Sequence, residues 1–595
     1  MSPGTLKLIR ATGNPYGADD NELFLFVGNV TIAPITEIIP DEGVLPPPQR
    51  ADLSSRPCRL KILHINDLHG HIARFTQQED QPILSRIVSR LRDVRRRHRE
   101  DPDTAVLFMS AGDDLVGAVF DELMGADSES FASHAGYRLY SAAGIDVSVL
   151  GNHDLDLGTN LLAQAIRRDA HFPVLSANLV GCQQLDGLYY PAAIIVTKGI
   201  RIGVIGLTTP GGLRHQLESN LQVVNPVRAI HNLLPVVRPL CDVLIILSHL
   251  GYSLVGGHGA SVRDAGDVEL AKSIPRGSVH LIVGGHTHHI LNEQGLTVDD
   301  IVNGIPIVQA GNLGRFVGEV DIVMRQSGSA VTNARLISTA SLSVDEQFER
   351  ENVQPLMDIA RPLFNRKLGH VANNPDLSGY AVRNHFAAGE SSLANFVADA
   401  LVARCRHNRY DVDLAVVDAS VMRRGLPIGE ELTFGDWFDL MPFADVLRVY
   451  WITGRQLQML LQDNASRIDL PGEPHTERGF VHFSRQVRYA IITGSSRMDI
   501  QVSDITVNDV PLDKQMEESF QLVCSSFTRE SAGQWEKYAQ LRLGLPTMDF
   551  SLVTHMDTPL FLRKELVAYI VENGGVTEEG GAVRDGRLRI IAKEM

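Results

Sequence analysis

The sequence predicts an α/β protein: a layered sheet sandwich covered by helices, joined to a second α/β domain. Three observations predict it. The 595-residue chain is too long for one hydrophobic core. Between residues 58 and 340, apolar runs that each end in a polar turn alternate with helix-like stretches. A polar, helix-compatible stretch then leads into another strand-and-helix region that continues to residue 595.

Composition narrows the function classes. Hydrophobic residues make up 44% and charged residues 21%, ordinary for a globular protein. A net charge of −16 argues against a nucleic acid polymer as partner, but leaves room for a local basic pocket that holds one small phosphate. The five cysteines, Cys58, Cys182, Cys241, Cys405 and Cys524, are scattered without a Cys-x-x-Cys pair. They read as reduced, buried thiols and not as a disulfide frame or a thiolate metal site. No stretch reaches the roughly 18 apolar residues of a membrane span. The short apolar run Leu23 to Val27 follows Asp19, Asp20 and Glu22, unlike the basic start of a secretory signal. The expectation is a cytoplasmic protein with no membrane partner.

Residues 1–57 read as an N-terminal extension, with a hairpin around Gly28–Asn29 and a Pro-rich connector, "PDEGVLPPPQRADLSSRP". Residues 58–340 hold the strand patterns "RLKILHIND", "TAVLFMSAGDD", "DVSVLGNHD", "IRIGVIGLTTP", "DVLIILSHLG" and "VHLIVGGHTH". The stretch "QPILSRIVSRLRDVRRRHRE" between the first two is helical, and its Arg92 to Arg99 end reads as a solvated face. Residues 341–365 read as an interdomain helix, and 366–595 as the second domain.

The turns at the strand ends carry the chemistry. Asp67-Leu68-His69 comes after the first strand, Gly112-Asp113 after the second and Gly151-Asn152-His153 after the third; Ser248-His249 and Gly285-His286-Thr287-His288 come after later ones. In α/β folds, sites form where loops leave the carboxyl ends of strands. Any one of these turns alone is unremarkable. Together they bring carboxylates, an amide and imidazoles to one place, a donor set for divalent metals. Two cations about 3.5–4 Å apart can hold a hydroxide and polarise a phosphoryl oxygen. One carboxylate should bridge them, and Asp113 suits that role. Asn152 adds a neutral oxygen. His153 is placed to face the substrate instead and protonate a leaving alkoxide, with Asp156 behind it to orient the ring.

The run "DLHG…GDD…GNHDLDLG…SHLG…GGHTHH" resembles the motif set of the calcineurin-like metallophosphoesterases, in their 5′-nucleotidase variety. "SANLV", "GIRIGVIGLTTP" and "VQAGNLGRFVGEVDI" extend the likeness. In the second region, "ESSLANFVADAL", "LPIGEELTFGDWFDLMPFADVL" and "ITGRQL" are similar to the C-terminal nucleotide-binding domain of that family. The resemblance implies one metal held by Asp67, His69, Asp113 and His288, and a second held by Asp113, Asn152, His249 and His286. It implies His153 and Asp156 as the catalytic pair, and zinc, manganese or cobalt as the metals. His71 and His289 match no ligand position.

The second domain departs from the family where the substrate is read. The family loop Asn-Gly-Gly-Gly-[Ile/Val]-Arg is here "DASVMR", Asp418 to Arg423, and only Arg423 matches. Side chains replace the glycines that let a backbone approach a ligand. The arginine-rich stretch before "ESSLAN" is "HFAAG", with Arg383 upstream. Of the two aromatics that sandwich a base, one appears as Leu447 and the other aligns with Trp535. The reading is a two-metal phosphoesterase that hydrolyses the phosphate ester of nucleotides through a metal-held hydroxide, with Arg423 and Trp535 as substrate contacts. Two alternatives remain. One is a hydrolase of another phosphomonoester or of a sulfur-oxyanion conjugate on the same scaffold. The other is a catalytically idle metal- or ligand-binding protein.

Overall fold

A computed structural model describes the chain except for residues 1–3, 12–20, 32, 43, 45–56, 75–79, 126, 211–220, 254–264, 326–327, 419–421, 423, 442–444, 471–472, 474–477, 495, 526–549, 551–552 and 593–595. The chain forms two compact units, one from residues 1–255 and 260–360, the other from 361–595.

The first unit is a sandwich of two sheets. In the six-stranded sheet, Cys58–Ile65, Thr104–Ser110, Val147–Val149 and Val174–Leu175 run parallel and adjacent. In the nine-stranded sheet, Ile200–Thr208, Val243–His249, Leu281–Gly284 and Ile305–Val308 do the same. These segments read as near-continuous apolar runs because parallel strands are buried on both faces. Between the sheets, Leu60, Ile62, Leu107 and Val147 share one core with Val204, Ile245, Leu247 and Val283. On the other face of the larger sheet, Ile205, Leu244 and Ile246 pack with Ile230 and Leu233 of helix Pro226–Val237 and with Leu270 of helix Asp267–Ser273.

Helix Leu84–Arg97 buries Leu84, Ile87, Val88, Leu91 and Val94, the spacing of one helical face. Arg95, Arg96 and Arg97 fill its last turn, where cations suit the helix dipole. Arg96 and Arg97 are exposed and pair with Asp93, as expected of a solvated face.

The N-terminal segment is not an extension. Thr5–Ala11, Glu22–Val27 and Glu37–Pro40 are strands of the nine-stranded sheet, and Glu22–Val27 pairs with Ala192–Thr197. Leu6, Leu8, Phe24 and Phe26 are buried in the same cluster as Ile205 and Ile246. The hairpin strands are Thr5–Ala11 and Glu22–Val27, so Gly28 follows the pair and is not its turn. The partner strand lies far along the chain, so local pattern did not reveal this docking. The expected interdomain helix is present from residue 346 to 364, with a π-helical stretch at Glu349–Val353. The division between the units falls inside it, after residue 360, within the expected 341–365 segment.

The second unit centres on a five-stranded sheet ordered Val481–Phe483, Leu414–Asp418, Ser519–Ser525, Val446–Thr453 and His555–Phe561. Helix Ser392–His407 starts at Ser391, whose side chain accepts from the Ala394 N–H.

Candidate metal centre

Parallel strands in both sheets bring their carboxyl ends to one place. Asp67 and His69 follow strand Cys58–Ile65, and Asp113 follows Thr104–Ser110. Asn152 follows Val147–Val149, His249 ends Val243–His249, and His286 and His288 follow Leu281–Gly284. Asp67, His69 and His288 form one group of convergent donor atoms, and Asp113, His249 and His286 form another. His288 Nε2 lies 3.2 Å from Asp67 Oδ1, and His249 Nε2 lies 3.0 Å from Asp113 Oδ2. Asp113 Oδ2 is also 3.9 Å from His69 Nε2, so this carboxylate reaches toward both groups as a bridging ligand must.

The backbone is bent to make this possible. Asp67, His69, Asp113, His286 and His288 all have positive φ, from 48° to 73°, a region non-glycine residues seldom occupy. Strain of this kind persists where the surrounding structure holds it, and it gathers at functional sites. A Cβ on Gly151 would collide with the Asp113 carboxylate, so the motif glycine is a steric requirement.

Hydrogen bonds aim the rings. His69 Nδ1–H donates to the Val116 carbonyl (2.8 Å) and His249 Nδ1–H to the Ala111 carbonyl (2.6 Å), which leaves each Nε2 facing the cluster. His69 Nε2 and His288 Nε2 face each other at 3.4 Å. Asn152 Oδ1 is buried without a hydrogen-bond partner. A buried amide oxygen in that state is costly, and a cation would satisfy it. Burial pushes His69 down to about 4 and His286 down to about 3, so both rings are neutral with a lone pair to offer. Burial also works against a charge on His249, but Asp113 and Asp67 raise it to about 10. A metal taking His249 therefore displaces its proton. The residues fit a pair of divalent ions.

His153 stands beside the ligands, its ring 5.1 Å from that of His69. Its Nδ1 is 2.6 Å from Asp156 Oδ2. Its backbone N–H donates to Asp113 Oδ1 (2.9 Å), which ties the His153 turn to the Asp113 carboxylate.

Several supporting residues escaped the motif reading. Asp154 accepts from the backbone N–H groups of Asp113 (3.2 Å), Asp114 (3.1 Å) and Gly151 (2.8 Å), joining two ligand loops. Asn66 donates to Asp67 Oδ2 (2.7 Å) and to the Gly311 carbonyl (2.6 Å). Gln309 Nε2 donates to the Gly285 carbonyl (2.6 Å), and its Oε1 accepts from the His289 N–H. Asp154 and Gln309 sit inside the quoted motifs "GNHD" and "VQAG", a signal that was there to be used.

In the second unit, Arg423 and Trp535 lie outside the described residues. Asp418 ends strand Leu414–Asp418, paired with Val481, and is buried. Leu447 is wholly buried on strand Val446–Thr453, and its carbonyl accepts from Thr558 Oγ1. Val446 and Leu447, which face opposite sides of the strand, are both wholly buried, so Leu447 packs inside the second unit.

Fold and donor set together define a dinuclear metallophosphoesterase. Residues 60–289 match the calcineurin-like phosphoesterases, and residues 367–540 match the 5′-nucleotidase C-terminal domain. The chain belongs to the calcineurin-like phosphoesterases that carry a 5′-nucleotidase C-terminal domain, hydrolases acting on phosphoester bonds. It is 27% identical over 443 residues to a 5′-nucleotidase of Vibrio cholerae, covering 67% of this chain and 74% of that one. A 5′-nucleotidase precursor of Thermus thermophilus shares the fold with a TM-score of 0.55 and 23% identity, over 90% of this chain and 99% of that one. A sulfate thiohydrolase of Thermus thermophilus does so with a TM-score of 0.51 and 15% identity, over 90% and 97%.

Proposed function

We propose that this chain hydrolyses the phosphate ester of nucleotides, releasing phosphate and a nucleoside alcohol. The observation that carries the reading is the pairing of two donor groups, Asp67/His69/His288 and Asp113/His249/His286, with the His153–Asp156 dyad beside them. Asp67, His69, Asp113 and His288 would hold one ion, and Asp113, Asn152, His249 and His286 the other. The nitrogen and oxygen donors suit zinc, manganese or cobalt. When bound, the ions supply positive charge for the phosphoryl group and an activated water. The chain's own residues do the rest. Asp156 fixes the His153 ring by accepting from Nδ1, and His153 Nε2 holds the proton that the leaving alcohol needs. The nucleotide assignment draws on the C-terminal domain match and the Vibrio relative.

A second reading, a non-nucleotide ester on the same scaffold, is favoured by two residues. Asp418 stands where the family loop starts with asparagine, and Leu447 is buried where an aromatic would stack on a base. The partner is in either case a small molecule. The buried thiols of all five cysteines favour a reducing, cytoplasmic setting. No helix among the described residues is long and apolar enough to cross a membrane.

The test is release of phosphate from four nucleoside monophosphates, a sugar phosphate and p-nitrophenyl phosphate, and of sulfate from a thiosulfate conjugate, each with manganese, zinc or cobalt. The expected result is a kcat/KM for nucleotides well above that for the sugar phosphate. Inert nucleotides beside a cleaved alternative transfer the assignment to that class. A blank panel with every metal leaves a binding protein.

A further inference from the structure

Val116 is a β-branched residue at φ +66°, a conformation such side chains strongly avoid. Nothing about the turn from Asp113 to Gly117 makes this comfortable locally, so something must hold it. Asp121 does. Its Oδ1 accepts from the Val116 N–H (3.0 Å) and its Oδ2 from the Gly117 N–H (2.9 Å), one oxygen to each of two successive amides. Asp121 lies in the 3-10 helix Val119–Met124 and is 3% exposed, so the clamp is shielded from water. Held this way, the Val116 carbonyl accepts the His69 Nδ1–H at 2.8 Å, and His69 Nε2 is left for the metal. Gly117 completes the arrangement: at φ +134°, a Cβ there would lie 3.0 Å from the His69 Cβ.

We propose that Asp121 is a positioning residue for the metal group Asp67/His69/His288, acting through the strained Val116 carbonyl on the tautomer and orientation of His69. The proposal rests on the reading of that group as a metal site. It goes beyond the family likeness, whose motif residues end at "GDD" in this loop, and it needs no assumption about substrate. Loss of a partner behind a metal-bound histidine typically weakens metal affinity by about 10–100-fold. Removing the clamp should therefore act on one ion more than on the other. In the group Asp113/His249/His286, His249 takes its aim from the Ala111 carbonyl and not from Val116.

The experiment is calorimetric titration of the metal-free full chain with manganese, paired with electron paramagnetic resonance of the loaded protein. Asp121→Ala should keep one ion bound at wild-type affinity and weaken the other by about 10–100-fold, with the spectrum moving from a spin-coupled pair toward a single ion. Asp121→Asn, which keeps one acceptor oxygen, should fall between. The decisive variant is Val116→Gly in the Asp121→Ala background. Glycine adopts positive φ without strain, so it should restore much of the lost affinity if the carboxylate serves to hold that conformation. A merely structural role for Asp121 would not respond to it. Unchanged affinity for both ions in Asp121→Ala, equal loss of both, or no recovery with Val116→Gly each overturns the proposal. Fewer than two ions on the wild-type chain overturns the metal reading, and this proposal with it.

Discussion

His153 Nδ1 lies 2.6 Å from Oδ2 of the fully buried Asp156, and its backbone N–H lies 2.9 Å from Oδ1 of Asp113. One residue thus touches both the carboxylate beside its ring and the carboxylate proposed to bridge the metal groups. Binding and proton transfer can be separated by mutation because the His153 ring is not one of the convergent donors.

His153→Ala should keep both ions and slow turnover of an alkyl phosphate ester by about 10²–10⁴-fold, the scale of general acid–base catalysis. The loss should be much smaller with p-nitrophenyl phosphate, whose leaving group barely needs a proton. Steady-state kinetics on both esters, with metal content measured in parallel, checks this. Equal losses on both would remove the acid role.

Asp113→Asn should strip the centre of metal. The bridging charge offsets repulsion between adjacent cations, and an amide lacks it. Elemental analysis of the purified variant should show clear loss at both positions. Retention of two ions would mean that Asp113 does not bridge.

Acid should destabilise the first unit through His134. This ring caps helix Ala135–Ala143, its Nδ1 accepting from the Tyr137 N–H at 3.0 Å, which only a neutral Nδ1 can do. Burial holds His134 down to about 3, against an ordinary 6.5. Between those values the unfolded chain binds the proton and the folded chain does not. The stabilisation is therefore full above about pH 6.5 and declines as pH falls, by about 2 kcal/mol at pH 5. His134→Asn keeps a capping oxygen without a titrating ring. Denaturant unfolding at pH 7 and pH 5 should show a smaller acid loss in the variant; identical losses would clear His134 of this role.

Asp399→Ala should destabilise the second unit by about 1–3 kcal/mol, the cost of lost charge-assisted hydrogen bonds. The loss is smaller than a wholly unpaired buried charge would cause, because Asp585 still accepts from Arg587 Nε at 3.0 Å and Nη2 at 2.8 Å. Asp399 receives Arg587 Nη1 at 2.9 Å and Nη2 at 3.0 Å, both residues almost wholly buried, and Arg485 Nε at 3.0 Å. Urea unfolding followed by the buried Trp437 of the same unit should report it. A shift within experimental scatter would mean that water replaces the lost partner.

The sequence by itself determined the chemistry of the first unit. Buried parallel strands leave a local mark, an apolar run that stops abruptly at polar residues, and each ligand sits at such a stop. Asp67, His69, Asp113, Asn152, His249, His286 and His288 were legible because all lie at the ends of five short strands, Asp67 with His69 and His286 with His288 sharing a turn. Tertiary structure alone decided what lies behind them. The strained carbonyl of Val116, the reach of Asp121 to it and the three loop amides gathered by Asp154 depend on backbone angles that side-chain pattern does not encode. The docking of Glu22–Val27 against Ala192–Thr197 and the burial of Leu447 follow from strand pairings distant in the chain. The apolar alternation that marks a strand is the same whichever neighbour it finds, so sequence named the strands and only packing chose their partners.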